Sequence, residues 1–194
     1  MAKLFYVLGA SGAGKDSIMN MVREQLRDPL MVAHRYITRP VSSGNENHIE
    51  LSEQEFDFRI NRGLFAMHWQ ANGYRYGIGN EVCDWLAQGL DVMVNGSRAY
   101  LPTAKARFGD QLQVVWIFVT PEILQQRLQC RGRESAQEIA QRLERAIAYD
   151  SVRPADAIVI DNSGSLQSST EQFLTQMENM AHDQKIKVAM DSPC

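Results

Sequence analysis

The sequence predicts an α/β protein: a three-layer P-loop fold with a five-stranded, mostly parallel sheet and a small α+β insert. Three observations carry this reading. Short apolar runs alternate with stretches whose apolar residues recur at helical spacing. A glycine-rich segment ending in lysine joins the first apolar run to the first helical stretch. The alternation lapses between residues 39 and 80, where a helix signal and a hairpin signal stand instead.

The elements follow in order. Residues 3–8 read as a buried strand, and 16–26 as a helix with Ile18, Met19, Val22 and Leu26 on one face, stopped by Asp28-Pro29. Residues 30–37 are apolar and β-rich, a second strand. Within the insert, 42–48 is a polar loop. Ser52-x-x-Glu55 is a capping box that opens a short helix. Residues 64–70 and 74–78 flank Ala71-Asn72-Gly73, a hairpin signal. Residues 90–94, 113–119 and 157–160 are three further strands. Thr120-Pro121 starts a helix with a cap and a proline at its first position. Gly132 is a hinge between helices, Ser135-x-x-Glu138 is a second capping box, and 166–181 is a closing amphipathic helix. Trp69, Trp85 and Trp116 read as core, and Met19, Met21 and Met31 as packing residues. Residues 183–194 read as a frayed tail.

In a parallel sheet, ligands bind beyond the carboxyl ends of the strands. That rule places Gly9 to Lys15, Thr38-Arg39 and Asn95 to Arg98 on one rim. The insert then reads as a flap over a second substrate.

Composition narrows the class. The 194 residues fit one domain with a small insertion. A net charge of −3 lacks the basic excess of broad nucleic-acid binding, so no nucleic-acid partner is expected. No apolar run approaches the roughly 20 residues of a membrane span, and Lys3 with a strand replaces any signal segment. Cys83, Cys130 and Cys194 are too few and too scattered for a disulfide framework. A cytoplasmic location is the expectation. Oligomeric state is left open.

Gly9-Ala10-Ser11-Gly12-Ala13-Gly14-Lys15 has the G-x-x-x-x-G-K pattern of a loop that cradles nucleotide phosphates. Glycines let consecutive amides turn inward on an anion, and the following helix points its positive end the same way. Lys15 adds a mobile full charge for the β- and γ-phosphates. Most such loops continue with a Ser or Thr that ligates Mg²⁺. Here Asp16 stands in that place and Ser17 follows, so Asp16 is the candidate metal ligand and, equally, an acidic first-turn residue that stabilises the helix. The residues expected to hold the nucleotide are therefore Gly9, Ala10, Ser11, Gly12, Ala13, Gly14, Lys15, Asp16 and Ser17.

A second basic cluster comprises Arg127, Arg131, Arg133, Arg142 and Arg145. Such runs are commonly a solvated helix face, and Glu138–Arg142 qualifies as an i,i+4 pair. Beside a glycine in a P-loop chain, Arg131 and Arg142 read instead as phosphate ligands. Arg145 keeps the plainer reading.

Several segments together resemble the guanylate-kinase-like group of P-loop kinases: the glycine loop, Tyr36-Ile37-Thr38-Arg39-Pro40, Asn72-Gly73-Tyr74-Arg75-Tyr76-Gly77, Arg127 to Glu134, and Ile139-Ala140-Gln141-Arg142-Leu143. The resemblance spans about 150 residues in the family's order. It implies an acceptor-binding flap near 36–80 and an Arg-bearing lid near 131–138. The departures are informative. The positions from which that family reads guanine hold Met67, Ile78 and Asn95, and a second arginine is replaced by Ser42. A site that has lost its partners for guanine should reject it.

A closer resemblance rests on Gly14-Lys15-Asp16-Ser17, Ala33 to Arg39, Glu46-Asn47-His48-Ile49 and Val94-Asn95-Gly96-Ser97-Arg98. These are similar to ribose 1,5-bisphosphate phosphokinases of bacterial phosphonate breakdown. The resemblance implies phosphoryl transfer from ATP, with Mg²⁺, to a small sugar phosphate, making 5-phosphoribosyl 1-diphosphate (PRPP). It implies Lys15, Arg131 and Arg142 around the transferring group, and Arg35, Arg39 and Arg98 on the acceptor's phosphates, with Asn95 and Ser97 as neutral donors. Tyr76 reads equally as an acceptor ligand and as flap packing, and Arg35 equally as a strand-end surface residue. His34 and His48 read as structural or polar-surface groups rather than bases. A nucleoside-monophosphate kinase and a non-catalytic binding module are the alternative readings.

Overall fold

The computed structural model describes residues 1–25, 30–43, 46–132 and 134–191. Leu26, Asp28, Pro29 and Arg133, and part of the 42–48 loop, lie outside the described residues. The chain divides into two compact units. One holds Ala2–Leu8 and Lys15–Val115, and the other holds Gly9–Gly14 with the residues from Trp116 onward.

The strands of the main sheet are β1 (Leu4–Gly9), β2 (Leu30–Val32), β7 (Asp91–Asn95), β8 (Leu112–Phe118) and β9 (Ile158–Asp161), in the order β2-β7-β1-β8-β9. The β1–β7 and β2–β7 pairs are parallel, with Leu4 opposite Val92 and Leu30 opposite Asp91. All six β1 residues are buried. That is why 4–8 reads as an unbroken apolar run: a strand covered on both faces has no polar side to alternate with.

In the first unit, α1 (Lys15–Gln25) buries Ile18, Met19 and Val22, at i, i+1 and i+4. The expected single strand over 30–37 is two strands in two sheets. The Ala33 amide still donates to the Met93 carbonyl at 3.0 Å. The chain then leaves the main sheet, and β3 (Arg35–Ile37) pairs with β4 (His48–Glu50) and β6 (Tyr74–Gly79). Hydropathy does not register such a change of sheet, because both halves are β-rich.

The insert is a four-stranded sheet, β4-β3-β6-β5. With α2 (Glu53–Asn61) and β5 (Phe65–Ala71) it forms a core of its own from Leu51, Phe56 and Phe65. Phe56 and Phe65 lie 4.7 Å apart between ring centroids. Burying each such ring is worth about 1.5–3 kcal/mol. Ser52 accepts from the Glu55 amide at 3.1 Å, while the Glu55 carboxylate takes Arg59 at 2.8 Å. The β5–β6 turn has positive φ at Asn72 and Gly73 (51° and 79°), the two-residue hairpin turn that matches strand twist. Trp69 is half-buried rather than core and stacks on Tyr76 at 5.7 Å. Trp85 is likewise half-buried, and Met31 is exposed on short β2. Two helices outside the sequence expectations, α3 (Glu81–Ala87) and α4 (Leu101–Phe108, with Pro102 in its first turn), complete the unit. Neither has a side-chain cap hydrogen bond.

In the second unit, α5 (Pro121–Arg131) opens on Thr120 and ends at Gly132, whose φ of 62° is the left-handed cap conformation. The expected lid falls on the turn from α5 into α6 (Ala136–Asp150). There Ser135 and Glu138 form both halves of a capping box. Glu138 is thereby committed, and Arg142 takes its ion pair from Glu134 at 3.1 Å rather than by i,i+4 spacing. Trp116 is buried and donates to Asp150 at 2.9 Å. The last helix, α7 (Leu166–Asp191), runs ten residues past its expected end at 181 and through most of the expected tail.

Candidate functional site

In the second unit, the loop Gly9–Gly14 is shaped by backbone and by one buried side chain. The Ala13 amide donates to the Ala10 carbonyl at 3.1 Å, closing a turn. Gly14 has φ +91°, and a Cβ there would collide with the Asn162 amide. Asn162 is 2% exposed and its Nδ2 donates to the Ala13 carbonyl at 2.7 Å. Asn162 is itself held: its backbone N–H donates to the Phe118 carbonyl at 2.8 Å, and Ser169 Oγ donates to its Oδ1 at 3.0 Å. At Gly9 a Cβ would stand 2.6 Å from the Ile117 carbonyl oxygen, so no larger residue fits.

Two guanidiniums approach this loop. Arg142 donates from Nη1 to Ser11 Oγ at 3.3 Å, while its Nη2 holds Glu134. The other carboxylate oxygen of Glu134 is buried without a hydrogen-bond partner among the described residues. Arg127 lies 3.8 Å from where a Gly14 Cβ would be and donates to the Gly164 carbonyl at 3.5 Å. Burial, then the charge of Arg131, lowers the Arg127 pKa. Arg131 itself is exposed at the end of α5. A hollow of about 190 Å³ lies in the same unit, lined by Ala10, Trp116, Leu124, Ile147 and Tyr149. Apart from Asp150 its walls carry no charge, so it does not suit phosphates.

In the first unit, Lys15 follows Gly14 directly and opens α1. Burial lowers its pKa. Asp16 and Glu46 act against that, and Arg35 acts with it. Asp16 Oδ1 accepts from Asn95 Nδ2 at 2.7 Å. Ser17 is exposed. Arg35 grips Glu46 with two parallel bonds, Nε to Oε1 at 2.5 Å and Nη2 to Oε2 at 2.6 Å, and lies 5.0 Å from the Tyr76 ring centroid. Arg39 Nη2 reaches the same Oε2 at 3.2 Å, and its buried Nε has no partner among the described residues. Burial disfavours the Glu46 carboxylate, but Arg35, Arg39 and His48 outweigh it and hold its pKa below the usual carboxylate value. His48 is structural, as expected. It is 6% exposed, with its ring nitrogens at the Glu46 and Arg39 carbonyls, 3.0 and 2.9 Å away.

Tyr76 is buried against Trp69. The turn Gly96-Ser97 closes on Tyr6, whose hydroxyl donates to the Ser97 carbonyl and accepts from the Ser97 amide, both at 2.9 Å. A Cβ at Gly96 would collide with the Tyr6 ring. Arg98 is exposed. A shallow open cleft, with an interior of only about 10 Å³, room for about one water, is lined by Asp16, Asn20, Arg23, Arg35, Glu46 and Asn95. The expected acceptor ligands Arg35 and Asn95 thus meet in one cleft, with Arg39 linked to it through Glu46.

Sequence reasoning passed over Asn162, Arg127, Glu46 and Tyr6 as working residues. Asn162 had a usable signal, since it follows a strand end on the rim where ligands bind. Glu46 stood in a resembling segment but its role had no signal, because its partners lie 7 and 11 residues away across a loop.

Among the described residues no three His, Cys, Asp or Glu side chains gather into a metal cage. A lone carboxylate at Asp16 still suits Mg²⁺, which commonly takes one or two carboxylates and its remaining ligands from phosphates and water. Among those residues, too, no helix is long and apolar enough to cross a membrane.

Comparison with known proteins places the chain among its relatives. A family profile described as guanylate kinase matches residues 1–182. The chain is 54% identical over 172 residues, 89% of each chain, to ribose 1,5-bisphosphate phosphokinase PhnN of Enterobacter lignolyticus. It is 48% identical to the protein of the same name from Klebsiella pneumoniae, over 92% of this chain and 94% of that one. In structure it is similar to guanylate kinase from Anaplasma phagocytophilum, with a TM-score of 0.71, 16% identity, and coverage of 92% and 86% of the two chains. That likeness speaks to fold alone. Taken with the glycine loop and its lysine, these matches lead to one conclusion: the chain belongs to the guanylate kinase family.

Proposed function

We propose that this protein transfers the terminal phosphoryl group of ATP to the C1 phosphate of ribose 1,5-bisphosphate, giving 5-phosphoribosyl 1-diphosphate and ADP. The observation that carries the reading is the near-full-length identity to phosphokinases of that name. An oxygen of the C1 phosphate attacks the γ-phosphorus, and the bond from that phosphorus to the β,γ-bridging oxygen breaks as ADP leaves. The second pKa of a phosphate ester lies near 6, so the nucleophile is already ionised at neutral pH and needs no strong base.

Catalysis is then positioning and charge neutralisation. The loop amides of Gly9–Gly14 hold the donor's phosphates, with Asn162 keeping the loop in shape. Lys15 neutralises charge on the β- and γ-phosphates. Arg142 and Arg131 act on the transferring group, Arg142 from its place at Ser11. Asp16 would be the protein ligand of a Mg²⁺ bound with the nucleotide, which would add further charge neutralisation. Arg35, Arg39 and Arg98 bind the acceptor, with Asn95 and Ser97 as neutral donors and Tyr76 packed beneath Arg35. Glu46 orients Arg35 and Arg39 without exhausting their donors: Nη1 of Arg35 and Nε of Arg39 remain outside the Glu46 contacts. The protein is assigned to the cytoplasm on its scattered cysteines.

A nucleoside-monophosphate kinase is the less favoured reading. Met67 and Ile78, at the positions that read guanine, are fully buried and apolar. The test is a panel of acceptors with ATP. Product formation with ribose 1,5-bisphosphate and little with GMP is expected. Brisk turnover of GMP with none of the sugar bisphosphate would replace this proposal with the alternative.

A further inference from the structure

One cation of the acceptor cleft has no role in the mechanism above. Arg23 lines that cleft and lies on the same face of α1 as Asp16 and Asn20, at i, i+4 and i+7. Its Nη1 donates to Asn20 Oδ1 at 2.7 Å. Its Nε is buried with no hydrogen-bond partner, and no carboxylate is paired with the guanidinium among the described residues. Arg23 as a whole is half-buried, but an Nε shut off from water without an acceptor is costly, and the cleft is where an anion that accepts from it would sit. A second orphan points to the same ligand. Asn95 Oδ1, on the cleft wall, is buried without a partner among the described residues and can accept from a hydroxyl.

The spacing defines the ligand's length. Asp16 and Arg23 are seven residues apart on one helix, about 10 Å along its axis. A pentose phosphorylated at C1 and C5 has seven bonds between its phosphorus atoms, roughly 7–8 Å at about 1.5 Å per bond once the chain bends. A bisphosphate reacting at one end near Lys15 and Asp16 would therefore leave its second phosphate beside Arg23.

We propose that Arg23, braced by Asn20, binds the non-reacting C5 phosphate of the acceptor, with Asn95 Oδ1 accepting from a ribose hydroxyl between the two phosphates. This rests on the acceptor being ribose 1,5-bisphosphate. It gives the cleft a measure of length: the enzyme selects a bisphosphate over a monophosphate through Arg23, while Arg35 and Arg39 serve the reacting end.

The experiment is a two-by-two comparison of kcat/KM, wild type against Arg23→Met, with ribose 1,5-bisphosphate against ribose 1-phosphate as acceptor. In the wild type, removing the C5 phosphate should cost roughly 10–100-fold, the scale of a charged hydrogen bond. In Arg23→Met the same removal should cost less than about 3-fold. For the bisphosphate, the loss on mutation should appear in KM more than in kcat. Arg23→Lys, which keeps the charge and loses the fork, should fall between. An unchanged C5-phosphate effect in both variants overturns the assignment, as does an equal loss with both acceptors. The variant's thermal unfolding is measured alongside.

An independent reading needs no variant. His34 has its pKa lowered by burial and by Arg23, against Glu81. A dianion arriving at Arg23 should raise the His34 pKa with ribose 1,5-bisphosphate and not with ribose 1-phosphate, seen by NMR titration. Equal shifts with both ligands overturn the proposal. If the wild type turns over neither sugar phosphate, the parent function falls and this assignment falls with it. If it turns over the bisphosphate, a failed cycle removes only Arg23.

Discussion

The glycine loop and the cleft proposed for the acceptor are built by opposite means, although the proposal gives each a polyanion to hold. The loop uses backbone. Its amides, the turn at Ala10–Ala13 and the buried Asn162 are set before any ligand arrives, and glycines are required where a Cβ would strike Asn162 or Ile117. The cleft uses side chains from four separate stretches. Its cations are braced by one another's partners, with Glu46 between Arg35 and Arg39 and Asn20 beside Arg23. A backbone cradle is indifferent to what the phosphate is attached to, so it serves any triphosphate. A cleft of braced arginines can change its acceptor by exchanging a few side chains.

The difference can be tested from its strongest consequence downward. Glu46→Ala leaves Arg35 and Arg39 facing each other without their counter-charge in a nearly closed setting, their side chains 12% and 21% exposed. Losing one partner of such a pair should cost about 3–5 kcal/mol of stability, read by denaturant unfolding. If it costs under about 1 kcal/mol, Glu46 is not the brace. The same carboxylate predicts a pH dependence. Its pKa is lower in the folded protein than in the unfolded chain, so the unfolded chain binds the proton more readily. The stability it contributes is fully present above the unfolded value near pH 4.5 and is lost as pH falls through the folded value. Glu46→Gln should flatten that part of the acid-unfolding curve.

Lys15→Ala should remove at least about 2–3 kcal/mol of transition-state stabilisation, measured as kcat/KM, with little change in unfolding. Turnover within a few-fold of wild type would sink the loop assignment. Asn162→Ala strips the buried Ala13 carbonyl of its donor. It should cost about 1–3 kcal/mol in stability and weaken nucleotide binding while leaving acceptor affinity alone. Equal weakening for donor and acceptor would erase the contrast drawn above. Smallest, Ser135→Ala removes one half of a capping box on α6 and should cost about 1 kcal/mol in thermal stability.

Residue chemistry read in order was enough for the glycine loop, the alternating strands and helices, the hairpin at Asn72-Gly73 and both serine caps. Each is local: a turn, a cap or a strand is specified by neighbours within a few residues, and by φ values that glycine and asparagine tolerate. Four things were not local. Residues 30–37 divide between two sheets, and a β-rich run looks the same in either. Trp69 sits half-buried on Tyr76 because a hairpin face, not hydropathy, sets its exposure. Glu46 becomes the brace of two arginines only once β3 and β4 run side by side. Asn162 becomes the support of a loop 149 residues earlier only when the chain returns. Burial and long-range partners are properties of the folded chain, because they depend on which distant segments share a wall. Polar chemistry in order of sequence can nominate a site, while three-dimensional packing assigns each nominee its partner.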